Sequence, residues 1–378
     1  MTSEPILLVL DQNLVESGLI DEDQIRDNWG IGPGQSLLVG GANIEEFERL
    51  SRTPANSIWA VGGGSTLDLA KLAGWANCDE RRIEFILTDS DSPYRYIPDG
   101  PPRVPVRAVA TTFSTGAERN SKASLRIDDC RLSMFAGKSL RPVRSAVLRS
   151  AMRSLPQSLV ARGIAEVLFR LLGPSLESDS SRRDEQIVAL LREVLEVVDA
   201  FARGDIAFGS RQRDLALLRL SEVGGELHRP GMFDISTPYV GIPWFLGRTV
   251  QECCPSVSKM DALMDAWIRL AHLFETSTSN ENYLNRWGQI REAYNSLSNP
   301  STQPLSGSLV HFLFTVSSRL FIDSSLLAGY GLSTFDIPAR FQQRWSGVLG
   351  GDRVPIGSLS QIYAIPLKNI QLHGGTHD

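Results

Sequence analysis

The stretch VGGGSTLDLAK, residues 61–71, joins an apolar run to a helical pattern through three consecutive glycines. NSIWAVGGG (56–64) has the length and composition of a buried strand, and Thr66 to Trp75 reads as a helix. A helix N-terminus carries unpaired backbone N–H groups and the positive end of the helix dipole. Glycines let the backbone approach an anion with no Cβ in the way. Gly62, Gly63 and Gly64 ahead of Ser65 therefore suit a diphosphate. Ser65 or Thr66 is expected to cap the helix, and either hydroxyl can reach a phosphate oxygen. The stretch is neither a Walker A loop nor G-x-G-x-x-G. A plain glycine turn, with a serine cap and Asp68 placed for the dipole, is the alternative.

Outward from this turn, strand-like runs alternate with helical ones. PILLVLD (5–11), SLLVGG (36–41) and RVPVRAVATT (103–112) read as further strands, and Ile44 to Leu50 as a helix. Such alternation predicts a parallel sheet with right-handed crossovers. Ligands in these sheets sit at the carboxyl ends of the strands. Asp11, Gly62 to Ser65, and Thr111-Thr112 all fall at such ends. Past residue 150 the pattern turns helical: Ala151 to Leu172, Glu185 to Phe201, Arg211 to Leu227, Lys259 to Phe274, Asn282 to Leu297 and Ser306 to Leu320. EQIVALLREVLEVVDAF sets Ile187, Leu190, Leu191, Val194, Leu195 and Val198 on one face. A late strand is expected at Leu359 to Pro366. The fold class is α/β: a Rossmann-like parallel-sheet domain over 1–149, then an all-helical domain over 150–378.

A chain of 378 residues, 42% hydrophobic and 21% charged, has the composition of a globular protein large enough for two cores. A formal net charge of −5 with scattered arginines gives no footprint for nucleic acid. Four cysteines, Cys78, Cys130, Cys253 and Cys254, form no C-x-x-C pair, so neither a zinc cluster nor a disulfide framework is expected. MTSEPILLVLDQ lacks a basic leader, and no apolar run reaches membrane length. A cytoplasmic protein without membrane partners is the expectation.

V-G-G-G-S-T-L-D-L-A-K resembles the G-G-G-S-x-x-D-x-A-K signature of the iron-containing alcohol dehydrogenase and dehydroquinate synthase superfamily. ATTFSTGAERNSKASL (110–125) resembles its P-T-T-x-x-T-G-S-E-x-[TS] segment, with Thr111, Thr112, Thr115, Gly116 and Glu118 in place. VLDQNLVESGLI (9–20) is similar to the opening strand and turn. T-G-A-E and Lys138 to Leu148 favour the dehydrogenase branch. The resemblance covers about the first 150 residues and implies nicotinamide dinucleotide binding. Gly63, Gly64 and Ser65 would hold the pyrophosphate, and Asp68 would lie near the nicotinamide. Thr111, Thr112 and Thr115 would line the adenine and ribose side. Asp11 would meet the adenosine ribose hydroxyls, where a carboxylate repels a 2′-phosphate, so NAD is favoured over NADP. A turn role is the alternative for Asp11.

The family's dehydrogenases hold iron or zinc with one Asp and three His, the first two as G-x-D-x-x-x-H. In ARGIAEVLFR (161–170) Gly163 keeps the frame, but Ala165 and Phe169 stand at the ligand positions. Arg248 in FLGRTVQE (245–252) and Lys259 in SKMDALMDAW (258–267) take the other two. Of the five histidines, His228 and His311 read as surface or satisfied helix residues, and His373 and His377 lie in a glycine-rich tail. His272, like the rest, has no neighbouring acid at ligand spacing. A degenerate site with no metal is expected. Arg248 and Lys259 would then be the catalytic cations, steadying an alkoxide or a substrate carboxylate, with Lys259 also a possible base. Surface cations are the alternative.

The resemblance thus implies an NAD(P)-dependent oxidoreductase acting on an alcohol, with a small-molecule or peptide substrate. A carboxylate-bearing or peptide C-terminal alcohol suits the two cations. One related group, the daptide-type dehydrogenases of natural-product biosynthesis, is expected to oxidise a ribosomal peptide's C-terminal threonine; nothing in this sequence singles that branch out. The other reading is a non-catalytic nucleotide-binding pseudoenzyme, a partner or scaffold of another biosynthetic enzyme. A sugar-phosphate cyclase ranks last. A homodimer is open.

Overall fold

The computed structural model describes residues 5–88, 92–128, 131–177, 184–228, 242–276, 281–297, 304–305, 307–322, 336–349, 360, 363 and 370. Two compact units emerge: Met1–Pro156 with Phe208–Ser221, and Gln157–Ala207 with Glu222–Asp378.

The first unit opens with β1 (Ile6–Asp11), α1 (Gln12–Glu16), α2 (Glu22–Trp29), β2 (Gly34–Val39), α3 (Ile44–Ser51), β3 (Ser57–Gly62), α4 (Gly64–Ala76) and α5 (Glu80–Leu87). It continues with β4 (Tyr94–Tyr96), β5 (Val106–Ala110), β6 (Lys122–Arg126), β7 (Leu132–Ala136), β8 (Arg144–Val147) and α6 (Arg149–Arg153). Five strands form a parallel sheet in the order β2-β1-β3-β5-β8. The α/β fold class expected from the alternation of runs is the one observed. A second sheet, β4-β7-β6, pairs β4 with β7 in parallel and β6 with β7 antiparallel.

The parallel strands are apolar on both faces because helices cover both. In β1, Leu7 and Val9 enter one core with Phe47 and Leu50 of α3 and Leu69 and Leu72 of α4. Leu8 and Leu10 enter the other with Ile25 of α2. Each such buried side chain contributes about 1.5–3 kcal/mol. In α4, Gly74 permits the close approach to β5: a Cβ there would lie 2.5 Å from Val106 Cγ2 and 2.9 Å from the Val104 carbonyl oxygen.

The helical region runs α7 (Gln157–Glu177), α8 (Asp184–Ala202), α9 (Arg211–Leu227), α10 (Ile242–Cys253), α11 (Lys259–Thr276), α12 (Glu281–Leu297), α13 (Leu309–Arg319) and α14 (Ile337–Leu349). On α8 the apolar face is as expected, except that Leu190 is only half-buried and Val188, Val197 and Phe201 complete the stripe. The single helix expected over Ala151 to Leu172 is two, α6 and α7. Pro156 has no N–H to donate and biases Leu155 away from helical geometry. The buried Arg213 guanidinium donates to the Leu155 carbonyl freed at this break. Among the described residues no helix is long and apolar enough to cross a membrane. The strand expected at 359–366, His373, His377 and Cys130 lie outside the described residues, apart from the isolated positions 360 and 363. Among the described residues Cys78, Cys253 and Cys254 form no disulfide.

Candidate nucleotide site and cation cluster

The sheet order sets β1, β3 and β5 side by side, with Leu10 opposite Val61 and Gly62 opposite Ala110. Asp11, Gly63 to Ser65, and Thr111 to Thr115 thereby converge at the carboxyl ends of adjacent strands. The Thr111 N–H donates to the Gly62 carbonyl at 3.0 Å. A Cβ on Gly64 would meet Thr115 Cγ2 at 2.9 Å, so only glycine lets these two loops close. A Cβ on Gly62 would crowd all three outer atoms of Thr66, at 2.6–2.8 Å. Gly63 is roomier, with Thr112 Cγ2 at 3.9 Å.

Neither Ser65 nor Thr66 caps α4. The helix begins at Gly64, Gly63 is the N-cap, and no side chain takes its first N–H groups. Ser65 stays exposed in the first turn. Thr66 is buried and donates its hydroxyl to Asp11 Oδ2 at 3.1 Å. Asp11 in turn caps α1, its Oδ1 accepting from Asn13 N at 3.1 Å and Leu14 N at 3.4 Å. The uncapped N-terminus of α4 leaves an open anion cradle. The Thr112 hydroxyl is buried without a partner.

Asp68 and Lys71 face inward. Lys71 Nζ has three protons and three acceptors: the Ala117 carbonyl at 3.1 Å, Asn120 Oδ1 at 2.9 Å, and the Lys122 carbonyl. Asp68 Oδ1 lies 2.8 Å from the same ammonium, an ion pair without an aligned hydrogen bond because the protons are already placed. Asp68 Oδ2 accepts from Ser124 N at 3.0 Å. Asn120 also donates to the Thr115 carbonyl at 3.4 Å. The two charged residues of the signature thus brace the threonine loop and β6 against α4. This accounts for their spacing: at i and i+3 they share one helix face.

In the second unit, Ala165 and Phe169 of α7 are fully buried. Phe169 stacks on Trp267 of α11, centroids 5.5 Å apart and planes at 17°. One position along, Glu166 and Arg170 form an i, i+4 pair: Arg170 Nη2 donates to Glu166 Oε1 at 2.8 Å. Lys259 Nζ, at the start of α11, donates to the same oxygen at 2.5 Å. Trp244 of α10 lies against both cations, its ring centroid 4.9 Å from the Arg170 guanidinium carbon and 5.1 Å from Lys259 Nζ. Arg248, one turn along α10, donates to Gln251 Oε1 at 2.8 Å.

Burial pushes the Glu166 carboxyl up, but the charges of Lys259 and Arg170 and their hydrogen bonds outweigh it and hold it well below the carboxylate range. Burial pushes the Lys259 ammonium down; Glu166 opposes this, and Arg170 and Arg248 add to it. The site expectations named Lys259 and Arg248 but missed Glu166, Arg170 and Trp244. Their one legible signal was i, i+4 spacing, which on a helix reads equally well as a surface pair. Of the histidines, His311 is exposed on α13, and His228 and His272 are half-buried.

A parallel sheet with a glycine turn at its carboxyl edge, followed by a helical region, is an α/β architecture whose ligands sit at the carboxyl ends of the strands. A family model described as iron-containing alcohol dehydrogenase matches residues 42–145. Over that segment the chain is similar to the iron-containing alcohol dehydrogenases. No curated protein matches it. The fold is shared with NADH-dependent butanol dehydrogenase A from Thermotoga maritima: 13% identity, 96% of this chain and 91% of that one, TM-score 0.70. Iron-containing alcohol dehydrogenase from Thermococcus thioreducens is similar at 13% identity, 97% and 93% coverage, TM-score 0.69. Sulfoacetaldehyde reductase from Bifidobacterium kashiwanohense, solved in complex with NAD+, is similar at 13% identity, 99% and 92% coverage, TM-score 0.70.

The family's name implies iron, and the four positions expected to ligate it do not fit one. Ala165 has no donor, Phe169 is spent on Trp267, and Lys259 and Arg248 are cations. Among the described residues no three His, Cys, Asp or Glu side chains are grouped to hold a metal ion.

Proposed function

We propose that the chain is an NAD-dependent oxidoreductase acting on an alcohol, working without the family's metal. The observation that carries the reading is the meeting of Gly63, Gly64 and Ser65 with Thr111, Thr112 and Thr115 around an uncapped helix N-terminus. Those residues hold the pyrophosphate and adenosine, and Asp11 favours NAD over NADP by repelling a 2′-phosphate. When bound, NAD+ would supply the hydride acceptor for oxidation of the alcohol to a carbonyl, and the hydroxyl proton would need a base. Burial and two arginines favour the neutral amine of Lys259, and in that form it would take the hydroxyl proton and become an ammonium paired with Glu166, while Arg248 would steady the alkoxide. The cations suit a carboxylate-bearing alcohol or a peptide C-terminus of the kind found in natural-product biosynthesis.

Hydride transfer to NAD from a panel of alcohols, with a strong chelator present, tests this. Turnover that survives the chelator supports the reading; turnover that the chelator abolishes and iron restores contradicts it. A second reading, a nucleotide-binding partner of another enzyme that performs no chemistry, is favoured by the lack of a grouped donor set among the described residues. NAD binding with no turnover on any alcohol, alone or with a partner's substrate, would select it.

A further inference from the structure

One side chain joins the glycine turn to the end of β1. Strands β1 and β3 are adjacent and parallel, with Leu10 opposite Val61, so Asp11 ends β1 beside Gly62. Thr66, in the first turn of α4, is 1% exposed, so its hydroxyl needs a partner inside the protein. It donates to Asp11 Oδ2 at 3.1 Å. Asp11 Oδ1 accepts from Asn13 N at 3.1 Å and Leu14 N at 3.4 Å. An ionised carboxylate has about four lone-pair sites. These three donors fix the plane of the Asp11 carboxylate and leave Oδ2 a further site. Asp11 itself is half-buried at the carboxyl edge of the sheet. Thr66 is held in turn by the glycine before it. A Cβ on Gly62 would lie 2.6 Å from Thr66 Cβ, 2.7 Å from its Oγ1 and 2.8 Å from its Cγ2. The first glycine of the turn thus makes room for Thr66, as Gly64 makes room for Thr115.

We propose that Thr66 is a positioning residue for nucleotide selection: its hydroxyl holds the Asp11 carboxylate toward the adenosine ribose, where it accepts from a free 2′-hydroxyl and repels a 2′-phosphate. The inference rests on the oxidoreductase reading for the presence of a dinucleotide, and adds to it the side chain through which Asp11 is set. Without the Thr66 hydroxyl, Oδ2 can pivot about the Oδ1 contacts toward water, where solvent weakens its repulsion of an anion. Thr66 falls at an unspecified position of the G-G-G-S-x-x-D signature. Its assignment comes from this chain's own contact, made across fifty-five residues.

The test is titration of the full chain with NADH and, separately, with NADPH, followed by nucleotide fluorescence. The parent chain should bind NADH more tightly than NADPH. Thr66→Val keeps the shape of the side chain and removes the donor. It should lower the NADH-to-NADPH affinity ratio at least about tenfold. Thr66→Ser keeps the hydroxyl and should hold the parent ratio. Asp11→Ser removes the carboxylate while leaving an oxygen to cap α1. On that background Thr66→Val should leave the ratio where it is. A packing role alone would weaken both nucleotides alike and not move their ratio. Thermal unfolding checks that each variant folds, and Thr66→Ala replaces Thr66→Val if that variant does not. The proposal is overturned by a parent chain that binds NADPH as tightly as NADH, by a ratio unmoved in Thr66→Val, or by an equal change on the Asp11→Ser background. The two layers fail differently. NADH bound with an unmoved ratio removes Thr66 from selection and spares the oxidoreductase reading, whereas a chain that binds neither nucleotide removes both.

Discussion

In the first unit Lys71 gives three protons to three oxygens and lies beside the Asp68 carboxylate. In the second, Glu166 Oε1 serves Lys259 and Arg170 while Arg248 acts on the same ammonium. Both are buried charge networks on helices, and their balance differs. The Lys71 ammonium places all three of its protons, so it stiffens the loop that carries Thr115, and Asp68 Oδ1 meets it as an ion pair only. In the Glu166 network two cations share one carboxylate oxygen, and Arg170 Nε is buried without a hydrogen bond.

The sharpest way to break this contrast is Gly64→Val. Its side chain would fill the space against Thr115, 2.9 Å from the Cβ position, and block the cradle. NADH binding, followed by nucleotide fluorescence, should fall more than about 100-fold, about 2.7 kcal/mol or more. Retained binding would show that the loop is not the grip. Next comes Lys71→Met, which leaves the Asp68 charge and three oxygens without their cation. Breaking a buried pair in this way costs about 3–5 kcal/mol, measurable by urea unfolding. A loss under about 1 kcal/mol would mean this network is no brace.

Glu166→Gln should cost less, about 2 kcal/mol, because Lys259 and Arg170 keep 30% and 21% of their side-chain exposure. Its signature is pH dependence. A carboxyl held below its ordinary 4.5 in the folded chain contributes stability that is complete above that value. That stability is lost as pH falls from there toward the folded value. The unfolding free energy of the parent chain should thus slope downward below about pH 4.5, and Glu166→Gln should flatten the slope. An unchanged slope would remove Glu166 from the account. Smallest of all, His311→Gln on the exposed face of α13 should change stability by under about 0.5 kcal/mol and leave NADH binding alone.

The parallel sheet was legible because β1, β3 and β5 are short apolar runs that end in turn residues, and fully covered strands need no polar alternation. The β6–β7 pair was not. KASLR and LSMFA carry too little pattern, and β6 is held by Asp68 and Lys71, more than fifty residues away. The break between α6 and α7 was written in Pro156, but the apolar periodicity on either side concealed it. The glycine cradle could be read because close backbone approach demands glycine wherever it occurs. The capping expectation failed because Thr66 found a better partner in Asp11, across fifty-five residues. The cation cluster could be read only in part. Arg248 and Lys259 were picked out by where ligands were missing, whereas Glu166, Arg170 and Trp244 gain meaning only when three helices pack.

NADH titration of chain first freed of metal by exhaustive chelation, with metal content measured on the same sample, tests the central claim most directly. The account predicts saturable binding of one NADH per chain, unchanged by chelation and lost in Gly64→Val. Binding that disappears on chelation and returns with iron, or no binding at all, would contradict it.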